Sequence, residues 1–276
     1  MASIWESQST ASQPSGWRRS FRHRFAHLWP RAAAAYVRDL SIRLPESPGH
    51  QKIAALTFDD GPTDAGTPLL LECLARHGLK ATFFVLGENV RRFPARAREI
   101  VAAGHSLGNH FRRHIDCWKT RPREVIREIT EGTRIIEETA GVSPAWCRPP
   151  FGRLTHAVVK WSRIHQQPIA LWDVFPADYL EETTAESLRQ VLEGRLRARS
   201  IVCLHDNVVS MQKTPAMLGQ SLPGLISAGW SFSPLPGATA RNASTQPTPP
   251  AAALIGAGSV DDGALDISAN ARDAAA

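Results

Sequence analysis

The sequence predicts an α/β fold, with parallel strands on the inside and helices packed around them. Short β-branched or aromatic runs alternate with longer amphipathic segments through the middle of the chain. The chain has 276 residues, 43% hydrophobic and 21% charged, enough for one domain with an ordinary core. Candidate strands follow one another in series about seven times, which suggests an incomplete (β/α) barrel. A doubly wound open sheet is the alternative, because periodicity alone does not separate the two.

In order, the strands are read at IAALTF (53–58), ATFFVLG (81–87), HSLGNH (105–110), AWCR (145–148), PIALWDV (168–174), SIVCLHD (200–206) and SFSPL (231–235). Between them lie the helical patterns TPLLLECLARHG, ARAREIVAAG, PREVIREITEGTRIIEETAG, THAVVKWSRIH, AESLRQVLEGRLRARS and MLGQSLPGLISAG. Several end in glycine, the residue that best tolerates the left-handed position after a helix. The flanks differ in character. Residues 1–48 form a Ser-, Arg- and Trp-rich arm, expected to be partly disordered, and residues 49–236 carry the fold. Residues 237–276 form an Ala/Thr/Pro-rich tail without an aromatic residue, and disorder is expected there.

The net charge of +6 is uneven. Arg18, Arg19, Arg22, Arg24, Arg31, Arg38 and Arg43 face the single acid Asp39 over the same stretch. A solvated basic arm is the simpler reading; no nucleic-acid partner is expected, and contact with an anionic membrane surface is the reserve. The four cysteines Cys73, Cys117, Cys147 and Cys203 include no CxxC pair and read as free thiols, which favours a reducing compartment. No stretch approaches the ~18 apolar residues of a membrane span. In GWRRSFRHRFAHLWPRAAAAYV, Arg22, Arg24 and His27 interrupt the place where a signal peptide needs its apolar segment.

The ionisable residues are not scattered. Asp59 and Asp60 follow the first strand, and His110 and His114 follow the third. Arg148 ends the fourth, Asp173 and Asp178 follow the fifth, and His205 and Asp206 end the sixth. In a parallel β/α fold those C-terminal ends share one rim, where active sites are built. Each motif alone has an ordinary reading: DDG as a solvated turn, RPPFG as a rigid proline loop, His205 as a core histidine. Their coincidence on one rim favours a site. Two histidines four apart with a carboxylate from a neighbouring strand end make a divalent-metal donor set, one that non-haem iron oxygenases also use.

The ordered motifs TFDDGP, HFRRH, RPPFG, WDVFPADY and LHD resemble the polysaccharide deacetylase family (carbohydrate esterase family 4), over Lys52 to Leu235. The resemblance implies a distorted, incomplete (β/α) barrel that hydrolyses N-acetyl, less often O-acetyl, groups on a glycan such as chitooligosaccharide or peptidoglycan. Carried over by position, it implies Asp59 as catalytic base and Asp60, His110 and His114 as ligands of a divalent metal, zinc first, with cobalt, nickel or iron as alternatives. It further implies Arg148 as the partner that orients the base, His205 as general acid, and the Phe151 backbone N–H as an oxyanion donor. For the acidic partner of His205, Asp178 is the choice and Asp173 the reserve, because Phe175 stands where the family has a first acid and Tyr179 where it has tryptophan. Phe111 replaces a Ser or Thr after the first histidine, so that loop must be held another way. Cys203 replaces a leucine that shapes the acetyl pocket. Trp146 and Trp172 flank the motifs as sugar-stacking or core aromatics. A monomer is expected. The rival readings are a same-fold hydrolase of a non-glycan amide and a catalytically silent glycan-binding domain. Glycan substrates point to the cell envelope or outside, whereas the thiols and interrupted leader favour the cytoplasm.

Overall fold

The computed structural model describes residues 40–45 and 52–237, together with Pro30, Ala33, Ala34 and Val37. The expectations for residues 1–29 and 238–276 lie outside the described residues. The strands are β1 (Leu40–Ser41), β2 (Ile53–Asp59), β3 (Thr82–Val85), β4 (Ser106–Asn109), β5 (Ile169–Ala170), β6 (Ile201–His205) and β7 (Ser231–Phe232). The helices are α1 (Gly66–Arg76), α2 (Gly87–Arg92), α3 (Pro94–Ala102), α4 (Pro122–Ala140), α5 (His156–Ile164), α6 (Ala185–Arg195) and α7 (Thr214–Ser227).

The strands run parallel in the order β4-β3-β2-β6, with β7 beside the start of β2 and β1 paired to β5. Beyond this ladder, among the described residues, the ring continues through single bridges: the parallel Asn109–Cys147, Cys147–Ile169 and Val174–Val202, and the antiparallel Arg43–Ser200. The expected incomplete barrel is therefore observed, one side laddered and the other stitched.

Side-chain alternation along the strands explains both faces. Ala54, Leu56, Phe58, Phe83, Val85, Val202 and Leu204 pack into the cluster that also buries Leu70, Leu74, Ile100, Ile135 and Leu218 of the helices. The intervening Ala55, Phe84, Ile201 and Cys203 join a second cluster with Phe111, Cys147, Ile169 and Trp172. Thr57, Asp59 and His205 keep step with that second set, so the polar residues reach the rim by the same two-residue period.

Several expectations need correction: PIALWDV is a strand only at Ile169–Ala170, and SFSPL only at Ser231–Phe232. AWCR is not a strand; Cys147 alone makes a bridge on each side. ATFFVLG stops at Val85, because the Gly87 and Glu88 N–H groups donate to the Phe111 and Arg112 carbonyls at 2.9 Å and open α2 instead. The helix AESLRQVLEGRLRARS ends at Arg195, since Leu196 is extended and the Arg197 N–H is taken by Ser200 Oγ at 3.0 Å. Inside the stretch assigned to the arm, β1 pairs with β5, and Arg43 Nε donates to Asp173 at 2.9 Å.

Candidate active site

Asp59 closes β2 directly opposite His205 of β6 and faces Arg148, which is fully buried. Arg148 Nη1 donates to Asp59 Oδ1 at 2.7 Å and to Thr57 Oγ1 at 2.8 Å, while Nε and Nη2 donate to the Ala170 and Leu171 carbonyls. The guanidinium also lies 4.0 Å from the Phe84 ring centroid. A cation so completely fixed holds the Asp59 carboxylate in one orientation.

Asp60 lies one residue beyond the strand, and its φ of 76° places it in the left-handed region. Aspartate tolerates that conformation better than most residues. Asn89 Nδ2 donates to its carbonyl at 2.6 Å and Asn207 Nδ2 to its Oδ2 at 3.2 Å. The backbone turn sends its Oδ1 to 3.6 Å from His110 Nε2 and 3.5 Å from His114 Nε2.

The histidine loop is anchored by the helix behind it. Asn109 Oδ1 accepts from the Phe111 N–H at 2.7 Å, and the buried Glu128 of α4 accepts from Arg112 and from Arg113, side chain and backbone. The Phe111 ring is fully buried, with φ 71°. These contacts hold the loop where Ser or Thr was expected. The two arginines of HFRRH are structural braces. Gly132 allows the approach: a Cβ there would stand 2.5 Å from Asn109 Oδ1 and 2.7 Å from the Phe111 carbonyl carbon. His110 Nδ1–H donates to the Arg148 carbonyl at 2.7 Å, and in the neutral ring this leaves Nε2 free of a proton. Burial, aided by His114, lowers its pKa to about 3, so this imidazole is neutral.

The opposite wall is Asp178. Its Oδ1 meets His205 Nδ1 at 2.7 Å, and its Oδ2 accepts from the His205 backbone N–H and from Thr214 Oγ1. Burial opposes a charge on His205, but Asp178, with Asp60 and Asp59 beyond, lifts its pKa to about 9. The reserve Asp173 is excluded as that partner: it accepts from Arg43, Ser200 Oγ and the Ile201 N–H. The Cys203 thiol donates to Asp59 Oδ2 at 3.4 Å; burial and Asp59 push its pKa well above the ordinary thiol value, so it keeps its proton.

Phe151 sits in the left-handed region, φ 59°, with its ring 4.4 Å from that of His114. Gly152 beside it takes φ 65°, and a Cβ there would strike Trp172 at 2.8 Å. Trp172 is therefore a buried floor under this loop and no open sugar platform, whereas Trp146 is half-buried and its Nε1 donates to the Pro236 carbonyl. Phe175 stacks on Trp172, and Tyr179 and Phe175 meet the His205 ring edge-on.

Sequence reasoning gave no role to Thr57, Glu128, Asn207 or Asp206. Asp206 accepts from Thr63 Oγ1 and Thr67 Oγ1, its N–H donates to the Asp59 carbonyl, and a Cβ on Gly61 or Gly66 would reach 2.5 Å from its carboxylate. It latches the loop that follows Asp60. The Gly-Pro and Thr residues just after DD were the available signal.

Among the described residues, two sets of three donors each keep their ligand atoms within 4.8 Å of one another: Asp60, His110 and His114, and Asp59, Cys203 and His205. Their chemistry separates them. Asp60 Oδ1 is buried with no hydrogen-bond donor among the described residues, and His110 is neutral with Nε2 facing it. In the second set Arg148 already holds Asp59, the thiol is protonated and the imidazole is charged. The first set fits a divalent cation; the second, already ion-paired and protonated, does not.

Residues 46–167 match the family model described as polysaccharide deacetylase. A peptidoglycan-N-acetylglucosamine deacetylase of Bacillus cereus is 32% identical over 190 residues, covering 68% of this chain and 69% of that enzyme. A chitooligosaccharide deacetylase of Bradyrhizobium is 33% identical over 193 residues, covering 66% and 88% respectively. The chain spans 40% of the longer enzyme PgdA of Listeria monocytogenes, at 34% identity. A solved peptidoglycan N-acetylglucosamine deacetylase superposes with TM-score 0.67 at 30% identity, covering 72% of this chain and 91% of that one. An acetyl xylan esterase of Clostridium thermocellum, solved with cobalt, gives TM-score 0.61 at 29% identity over 66% and 88%. With an enzyme of which it covers 88% at 33% identity, and with the motifs folded onto one rim, the chain belongs to the polysaccharide deacetylase family.

Proposed function

We propose that this protein hydrolyses N-acetyl groups on a glycan of the chitooligosaccharide or peptidoglycan kind, releasing acetate. The observation that supports it most is the pairing of Asp59 with Arg148 and of His205 with Asp178 on either side of the Asp60, His110 and His114 donors. Asp60, His110 and His114 would hold a divalent cation. When bound, such a cation polarises an acetyl carbonyl and lowers the pKa of water towards ~7.

The chain's own residues do the rest. Asp59, held by Arg148 and the Cys203 thiol, takes the proton of the attacking water. The Phe151 N–H stabilises the developing oxyanion; such a donor contributes about 3 kcal/mol. His205, charged at neutral pH, protonates the departing amine nitrogen, and Asp178 keeps Nδ1 bonded so that Nε2 delivers the proton. Phe111, Phe175 and Cys203 depart from the family pattern without removing any of these atoms, which favours turnover over a silent binding domain.

The test is acetate release from N-acetylglucosamine oligomers and peptidoglycan fragments by the protein loaded with zinc, cobalt or nickel, wild type beside Asp59→Asn. Release that falls at least about a hundredfold in the variant is expected. No release from any acetylated glycan with any of these metals sinks the reading.

A further inference from the structure

Among the described residues, the exposed large aromatics are Trp118, 55% exposed, and Phe151, 54% exposed. They are linked side by side through one side chain. The Arg153 guanidinium carbon lies 4.7 Å from the Trp118 ring centroid and 5.2 Å from that of Phe151. Phe151 in turn meets His114 edge-on at 4.4 Å. A continuous strip therefore runs outward from a cation-binding histidine.

The strip is fixed while exposed, which is an unusual expense for a surface. Trp118 Nε1–H donates to the Leu154 carbonyl at 2.9 Å, and its backbone N–H donates to Asp116 Oδ1 at 3.1 Å. The other Asp116 oxygen is ion-paired to Arg153. Phe151 is held out by its left-handed backbone, locked from below by Gly152 against Trp172. Apolar rings that could have folded onto the core are instead kept in water by polar struts, as interaction surfaces are.

We infer that Trp118, Phe151 and Arg153 form a subsite for the pyranose ring next to the one that is deacetylated. This rests on the glycan reading proposed above. The apolar C–H face of a pyranose, with its slightly positive hydrogens, suits the negative face of an aromatic ring. Because the strip starts at His114, a sugar lying on it is covalently adjacent to one whose acetyl group reaches the Asp60 donors. Its occupant is therefore a neighbouring unit of the same chain, and the site favours oligomers over single acetylated residues. Chitooligomers and peptidoglycan strands both offer such a ring, so they form two arms of the test.

The metal-loaded full chain, wild type, Trp118→Ala and Trp118→Phe, is assayed on N-acetylglucosamine dimer and pentamer, on peptidoglycan strands, and on a small acetyl ester. Trp118→Ala is expected to lower the pentamer-to-ester ratio of kcat/KM about tenfold, mostly through KM, with Trp118→Phe recovering most of it. The same loss on peptidoglycan strands identifies the strand as the occupant in that arm. An unchanged ratio, or an equal loss on pentamer and ester, overturns the subsite. Oligomer binding is also read directly, by calorimetry. If wild type releases no acetate from glycans but binds pentamer, and Trp118→Ala weakens that binding about tenfold, the deacetylase reading falls and the subsite stands. Absence of binding in the wild type overturns it.

Discussion

Asp59 and Asp60 are neighbours with different work because a strand ends between them. Alternation alone would send them to opposite faces; the left-handed backbone of Asp60 instead swings its carboxylate along the rim to the histidines. The amide variants separate the two. Asp60→Asn removes the negative charge beside His110 and His114 and sets an uncharged amide in place of the carboxylate, so bound zinc falls from one equivalent towards none by metal analysis. Asp59→Asn keeps an acceptor for Arg148 and retains the metal, while turnover drops at least about a hundredfold. His205 supplies a second residue-scale prediction. Its raised pKa means the charged, proton-donating form persists through neutral pH and is lost as pH rises through about 9, so activity falls on that alkaline limb. Asp178→Asn deletes the largest raising influence and leaves burial, which lowers, in command. The limb then moves to lower pH in a kcat profile. An unmoved limb removes His205 from the acid role.

At the scale of elements, the loop that carries His110 and His114 is as precise as its contact with α4. Gly132 shows which effect wins when the two compete. Alanine gains about 1 kcal/mol over glycine inside a helix. Yet the added methyl would press on Asn109 Oδ1 and the Phe111 and Arg112 backbone, which have no flexible end to move aside. Overpacking of that kind costs about 1–3 kcal/mol, so Gly132→Ala should lower Tm and weaken zinc binding together. A rise in Tm with unchanged zinc affinity would show that the loop is not seated on that glycine. This dependence also marks how far the sequence could be read. β2, β3 and β6 were legible because buried alternation is local, and the rim followed from their ends. AWCR was misread as a strand because its bridging depends on Pro168, Ile169 and Asn109, far away in sequence. α2 was missed because its first N–H groups are satisfied by the Phe111 and Arg112 carbonyls. His110, His114 and the Asp pair were visible by residue type. Glu128 was not, since nothing in a helix pattern says that a glutamate will face inward onto two arginines. Trp118 had a faint signal, an aromatic alone in the polar run IDCWKTRPRE.

For the whole molecule, the weak side of the ring decides where the folded unit begins. From Asn109 through Cys147 to β5 and from Val174 to β6, the barrel is held by single bridges, and β1 lies along β5 at that place. Leu40 and Leu44 are buried there, the Leu171 N–H donates to the Ser41 carbonyl at 2.8 Å, and Arg43 reaches Asp173. A chain shortened to begin at residue 49 loses all of these. Burying the two leucines contributes about 3–6 kcal/mol, to which the backbone pairing and the Arg43–Asp173 contact add, against the entropy of ordering the segment. The shortened chain should therefore melt lower, by about 2–4 °C for each kcal/mol of net loss in a folded unit of this size. Asp173→Asn in the full chain should reproduce a smaller part of the loss, because the Arg43 pair is half-exposed on the arginine side while the acid is buried. Neither change touches Asp178, so the alkaline limb set by His205 should stay in place while stability falls. Equal Tm for the shortened and full chains would mean that β1 adds nothing to the stitched wall, and a shifted alkaline limb in Asp173→Asn would restore Asp173 as a partner of the histidine.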